Sequence, residues 1–176
     1  DFLSIDVEGA ELDVLRGAKR LLQNSVVWLR SEMWIHQVYQ GSETLNKSLG
    51  YLTKAGFDLY HMEPYGEYEA DRLSLGMHGT GQTLGAEIDF HRRVQDLLVQ
   101  GGTDPSAAIL KLYKLALLAF MNGGNGLAFN ALQRADSLGG KFFAGEDGSF
   151  PTNYLRFLSE VSFQINRMAK KFPILS

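Results

Sequence analysis

The sequence predicts an α/β fold with a mostly parallel sheet, followed by an all-helical carboxyl-terminal part. Three observations carry that expectation. Over residues 1–92, short apolar or β-branched runs alternate with stretches of helical periodicity, the pattern of a parallel sheet covered by helices. From residue 104 onward only helical patterning remains, punctuated by paired glycines. The composition, 45% apolar and 21% charged over 176 residues, is that of a globular protein large enough for one ordinary domain.

The first strand is the run Phe2, Leu3, Ile5, Val7, which ends in the carboxylates Asp6 and Glu8 and is followed at once by Gly9. A helix is expected over residues 10–22. Val14, Leu15, Ala18, Leu21 and Leu22 recur at the spacing of one apolar face. Glu8 and Glu11 fall near its first turn, and Lys19 and Arg20 near its last, the placement the helix dipole favours. Asn24 and Ser25 stop it. Gly17 costs some helix stability and leaves room for close packing on the sheet.

Residues 25–34 are rich in β-branched and aromatic side chains and predict a second strand. Residues 46–55 predict a helix ended by Gly56. A third strand follows over 57–62, closed by Glu63 and Pro64. Residues 86–92 alternate and predict a fourth, antiparallel strand at the sheet edge. The strands near 2–6, 26–32 and 57–62 are expected side by side and parallel. The stretch 63–85 is too long for an ordinary hairpin loop. Its acidic, aromatic first part and glycine-rich second part suit a lid or acceptor-binding loop, or plain disorder.

In the helical part, Asp104 and Pro105 make a capped start with proline at the first helical position. That helix runs to about residue 121 and stops at Asn122-Gly123-Gly124. A second spans about 126–138, ending at Gly139-Gly140, and a third about 152–171, before Pro173. With small Ala116, Ala128 and Ala131 near the contact, the first two resemble one tetratricopeptide-like hairpin. Such arrays need about three repeats for stability. A helical subdomain packed on the sheet is the expectation instead.

Several function classes are excluded or weakened. A net charge of -3 with no basic stripe argues against binding nucleic acid through its phosphates. The Arg92-Arg93 pair beside His91 and the Lys170-Lys171 pair are too small to change that. With no cysteine there is no disulfide, zinc-thiolate site or thiol nucleophile, and the compartment is left open. The apolar stretch 107–121 is interrupted by Lys111 and Lys114 and is too short to span a bilayer.

Asp6 and Glu8, two apart in an extended segment, point the same way. In open α/β sheets ligands bind outside the carboxyl ends of the strands. One reading makes them a general base and a ligand for a metal or a substrate hydroxyl. The other makes them caps of the following helix, with no ligand needed. Glu32 sits near the end of the second strand, and His36 just beyond it has an ordinary pKa suited to proton transfer. A solvated surface role for His36 and a core role for Trp34 stand beside those readings. Gly79-Thr80-Gly81 lacks a third glycine, since Leu84 stands where one is needed, and is turn material. His61 and His78 have no second ligand at metal spacing.

The order Ile5-Asp6-Val7-Glu8-Gly9-Ala10-Glu11, followed by Val14-Leu15-Arg16-Gly17-Ala18, resembles the fourth strand and following helix of the FkbM-type methyltransferases. These are S-adenosylmethionine-dependent enzymes that mostly methylate hydroxyl oxygens. The resemblance implies that residues 1–92 are the carboxyl-terminal half of a seven-stranded Rossmann-like catalytic domain, without its cofactor-binding first half. Residues 103–176 would then be a helical subdomain. It implies Asp6 beside the transferred methyl, with Asp6, Glu32 and His36 catalytic. Asp6 and Glu8 would contact S-adenosylmethionine, and Glu11 and Trp34 the substrate, a hydroxylated small molecule such as a sugar. No metal is implied. Because the chain opens at Asp1 directly into a strand, it is expected to be a fragment that binds S-adenosylmethionine weakly alone.

Three functions therefore compete on sequence grounds. The first is O-methyl transfer. The second is a metal-dependent transferase using Asp6 and Glu8 as the acidic pair of a nucleotide-sugar glycosyltransferase. The third is a non-catalytic module whose helical half binds a partner through an exposed apolar groove.

Overall fold

The computed structural model describes residues 1–68, 82–100 and 105–140. Its elements are β1 (Phe2–Ile5), α1 (Glu11–Gly17), α2 (Lys19–Asn24), β2 (Trp28–Trp34) and α3 (Leu45–Lys54). They continue with β3 (Phe57–Tyr68), β4 (Gln82–Arg92), α4 (Val94–Gln100), α5 (Pro105–Met121) and α6 (Asn125–Ser137). The expected glycine-rich loop core, the Asp104 cap and the helix over 152–171 lie outside the described residues.

The four strands form one sheet in the order β1-β2-β4-β3. β1 and β2 are parallel, and β4 is antiparallel to both of its neighbours, β2 and β3. Hence β1, β2 and β3 run in one direction, as the strand–helix alternation predicts. The expected edge position of β4 is overturned: it lies between β2 and β3, and β3 takes the edge. The side chains give the reason. Ala86, Ile88 and Phe90 on one face are fully buried and Asp89 on the other is nearly so, and the backbone of β4 is paired along both edges, with β2 and with β3. The edge position of β3 suits its Pro64, which has no N–H to give to an outer neighbour. Glu63 and Pro64 do not close the third strand. It runs on to Tyr68, and β4 begins at Gln82, so the ends of the stretch expected as a loop are paired strand.

The expected first helix is two helices, broken at Ala18. Its buried face is Leu12, Leu15 and Leu22, while Val14 and Leu21 are exposed flanks. At its end Asn24 Nδ2 donates to the Arg20 carbonyl. The helix α4 had no separate signal, being about two turns directly after β4.

Alternation along β2 divides the core. Leu29 and Met33 join Ile5, Leu15, Leu22, Leu52, Phe57, Ile88 and Phe90 under α1, α2 and α3. Trp28 and the preceding Val27 join Leu112, Leu115, Ala116 and Ala119 of α5 with Ala128, Ala131, Leu132 and Ala135 of α6. The alanines bring α5 and α6 close together, as expected for Ala116, Ala128 and Ala131, and the pair packs on the sheet. No helix among the described residues is long and apolar enough to cross a membrane.

Candidate functional site

Where β1 ends, the chain turns sharply. Ile5 is buried, and Asp6, Val7 and Glu8 come to the surface. Glu8 has a φ of 52° and Gly9 one of 104°, so two successive residues sit in the left-handed region. Glycine is required at the second. A Cβ on Gly9 would fall 2.9 Å from Cδ2 of Tyr39 and 3.0 Å from Cβ of Ser42. Glu11 fastens the turn: Gly9 N–H donates to its Oε1 at 2.9 Å, and its side chain is buried. The structure therefore places Glu11 behind the turn, as a local cap, rather than facing the crevice.

β1 and β2 are parallel neighbours in the register Ile5 opposite Ser31. One residue further on, Asp6 and Glu32 emerge together at the carboxyl ends. The turn folds Glu8 over them, and carboxylate oxygens of Asp6, Glu8 and Glu32 lie within 4.8 Å of one another. Asp6 and Glu8 are not on one extended strand, but the turn brings about the convergence that the two-residue spacing predicted.

A cavity of about 140 Å³ opens beside them, lined by Ser4, Asp6, Arg30, Glu32, Tyr65 and Glu87. The cation among the described lining residues, Arg30, is already paired. Arg30 donates from Nε and Nη2 to the two oxygens of buried Asp89, at 2.9 and 3.0 Å, and from Nη2 to Oδ1 of Asn122 at 3.1 Å. Its Nε also lies 3.1 Å from Glu87. The Asp89 carboxylate, with Glu87 and Glu63 nearby, holds the Arg30 guanidinium above its ordinary range. The Trp28 indole donates to the same Asp89 at 2.9 Å. The crevice keeps a negative potential.

That potential acts on Glu32. The Tyr65 hydroxyl draws its carboxyl down, but burial together with the charges of Asp6 and Glu8 outweighs this and leaves it above the ordinary carboxylate range. The Tyr65 hydroxyl lies close enough to Glu32 to feel its charge, without the geometry of a hydrogen bond among the described residues. Burial first, and Glu32 second, push the phenol strongly up. Tyr39 donates to Oε2 of Glu8 at 2.6 Å. Between the tyrosines stands Trp34, edge-on to Tyr39 at 5.8 Å and to Tyr65 at 5.9 Å. This aromatic wall flanks the acidic cluster.

Residues 1–59 match the family model of the Methyltransferase FkbM domain. The match agrees with the resemblance carried by residues 5–18 and supports a methyltransferase in general. No curated protein and no solved structure matches the chain. The FkbM span covers β1 to α3 and the first residues of β3, and so contains Asp6, Glu8, Glu32 and Trp34. Tyr65, Glu87 and Asp89 complete the crevice from outside it.

His36 lies past the end of β2, exposed, and makes no side-chain hydrogen bond or ring contact among the described residues. It does not join the three carboxylates. The sequence reading missed Arg30, Tyr39, Tyr65 and Glu87. Arg30 was accessible to it, two residues before Glu32 and so on the same strand face. Tyr65 was hidden by taking its strand for a loop.

Proposed function

We propose that this chain forms the acceptor side of an S-adenosylmethionine-dependent O-methyltransferase acting on a hydroxylated small molecule such as a sugar. The observation that supports it best is the convergence of Asp6, Glu8 and Glu32 at the carboxyl ends of neighbouring parallel strands. The donor set suits part of the cofactor. Carboxylates and tyrosine hydroxyls complement the cationic sulfonium and ammonium groups of S-adenosylmethionine, and Asp6 and Glu8 would face them. When bound, that cofactor supplies an electrophilic methyl group.

The remaining work falls to the side chains. Glu32, held above the ordinary carboxylate range, is the base best matched to a hydroxyl that becomes acidic only as it attacks. Asp6, beside it, orients the acceptor. Glu8 is steadied by Tyr39. Trp34 and Tyr65 exclude water and offer an aromatic surface to the apolar face of a sugar ring. Glu11 acts through the turn that it caps.

The test is a methyl-transfer assay on the complete protein, with labelled cofactor and a panel of hydroxylated acceptors. Acceptor-dependent label transfer is expected. Asp6→Asn and Glu32→Gln should each lower turnover by about two to four orders of magnitude with folding intact. Unchanged turnover in both variants would overturn the assignment.

A further inference from the structure

A second polar feature lies at the opposite end of the sheet. Arg92 closes β4, paired with Phe57 at the start of β3, and its N–H donates to the carbonyl of Val27 just before β2. This is the end remote from the acidic crevice. The Arg92 side chain is only 1% exposed. Its Nη1 donates to the Ala55 carbonyl at the end of α3, and its guanidinium carbon stacks 4.2 Å above the Phe57 ring. Capping α3 accounts for one nitrogen. Nε and Nη2 are buried and have no hydrogen-bond partner among the described residues.

A buried guanidinium with unbonded N–H groups is costly, and the nearby carboxylate, Asp96, lies against Gly56 beside Nη1 and leaves Nε and Nη2 without a partner among the described residues. Burial pushes its pKa down, and the charge of Asp96 offsets part of that. Lys111 of α5 adds a further cation nearby, itself pushed down by burial and then by Arg92. Arg92 also lines a cavity of about 420 Å³ between α2 and α3, with Leu22, Tyr51 and Ala55 as apolar walls and Lys19 and Lys54 beside them.

We propose that this cavity binds an amphiphilic monocarboxylate, with Arg92 as the buried anchor for the carboxylate and the α2–α3 walls enclosing the apolar tail. The Nε–H and one N–H of Nη2 lie on the same edge of the guanidinium. That edge matches the two oxygens of a planar carboxylate. Arg30 demonstrates the pairing in the same molecule, giving Nε and Nη2 to the two oxygens of Asp89. Lys19 and Lys54 add attraction for an anion on approach. Because both N–H groups are closed to solvent, entry requires a local shift of the cavity wall.

The experiment is calorimetry and thermal unfolding of the complete protein with octanoate, using 1-octanol and octyl phosphate as comparison probes. Octanoate should bind and raise the melting temperature, and 1-octanol should do neither. Arg92→Met replaces the buried guanidinium by an apolar chain of similar length, and should weaken octanoate binding about thirtyfold or more. If that variant does not fold, Lys54→Gln serves instead. It should weaken octanoate severalfold and reduce the salt dependence of binding. Octanoate binding no tighter than 1-octanol, or equally tight in the folded variants, would overturn the proposal. Tighter binding of octyl phosphate would overturn the choice of a carboxylate.

Discussion

Glu8 and Gly9 show how much of the crevice depends on two backbone angles. The left-handed pair reverses the chain after β1 and carries the Glu8 carboxylate back over Asp6 and Glu32. Gly9→Ala must place a Cβ against Tyr39 at a φ that L side chains rarely adopt. A loss of about 1–3 kcal/mol is expected in denaturant unfolding, together with release of Tyr39 from Glu8. Glu32 makes a different prediction. Its folded-state pKa is raised above the ordinary value near 4.5, so the folded chain holds that proton more tightly than the unfolded chain. Its ionisation therefore costs stability as pH rises from about 4.5 through the folded value, and the cost persists above it. Glu32→Gln should flatten that part of the profile and leave the protein as stable as the parent, or more so, near neutral pH. Melting temperatures from about pH 4 to about pH 8 would test this, and a less stable variant at neutral pH would refute it. The same substitution is expected to lose activity, so stability and function would move in opposite directions at this residue.

At the scale of elements, what periodicity could reveal and what it could not are cleanly separated. The strands at residues 2–5, 28–34 and 57 onward, α3 and the α5–α6 pair were legible because each carries a local pattern with a glycine or polar stop. Strand order was not. The residues 86–92 alternate as an edge strand would, but Glu87 is the only exposed position among them, and burial on both faces is a tertiary fact. The acidic cluster was legible in part, since Asp6 and Glu8 belong to one motif and Glu32 lies near the end of the next strand. Tyr65 was not, because Pro64 suggested a loop where an edge strand tolerates proline. The α5–α6 contact offers a direct test. Ala131 is fully buried among Ala116, Ala119, Leu115 and Leu132. Ala131→Leu adds volume where two backbones approach closely. It should destabilise by about 1–3 kcal/mol, whereas the exposed Leu117→Ala should change stability little.

For the whole molecule, the question is whether the helical part stands apart from the sheet or completes its core. Trp28 argues for completion. It projects from β2 away from α1–α3, is fully buried, and belongs to one cluster with Leu112, Leu115 and Ala131. Its ring packs 4.9 Å from Tyr60 of β3, and its indole donates to Asp89, the residue that holds Arg30 at the floor of the acidic crevice. Asn122, at the end of α5, reaches Arg30 directly. The helices thus cover an apolar sheet face and also brace the polar network below the candidate site. Ending the chain after residue 100 would expose Val27 and Trp28 and remove the Asn122 contact. The shortened chain should therefore lose cooperative unfolding, or melt far below the parent, with tryptophan emission shifted to the red. An unchanged melting transition with a buried Trp28 would instead show that residues 103–176 form an independent subdomain, and that the sheet needs no cover on that side.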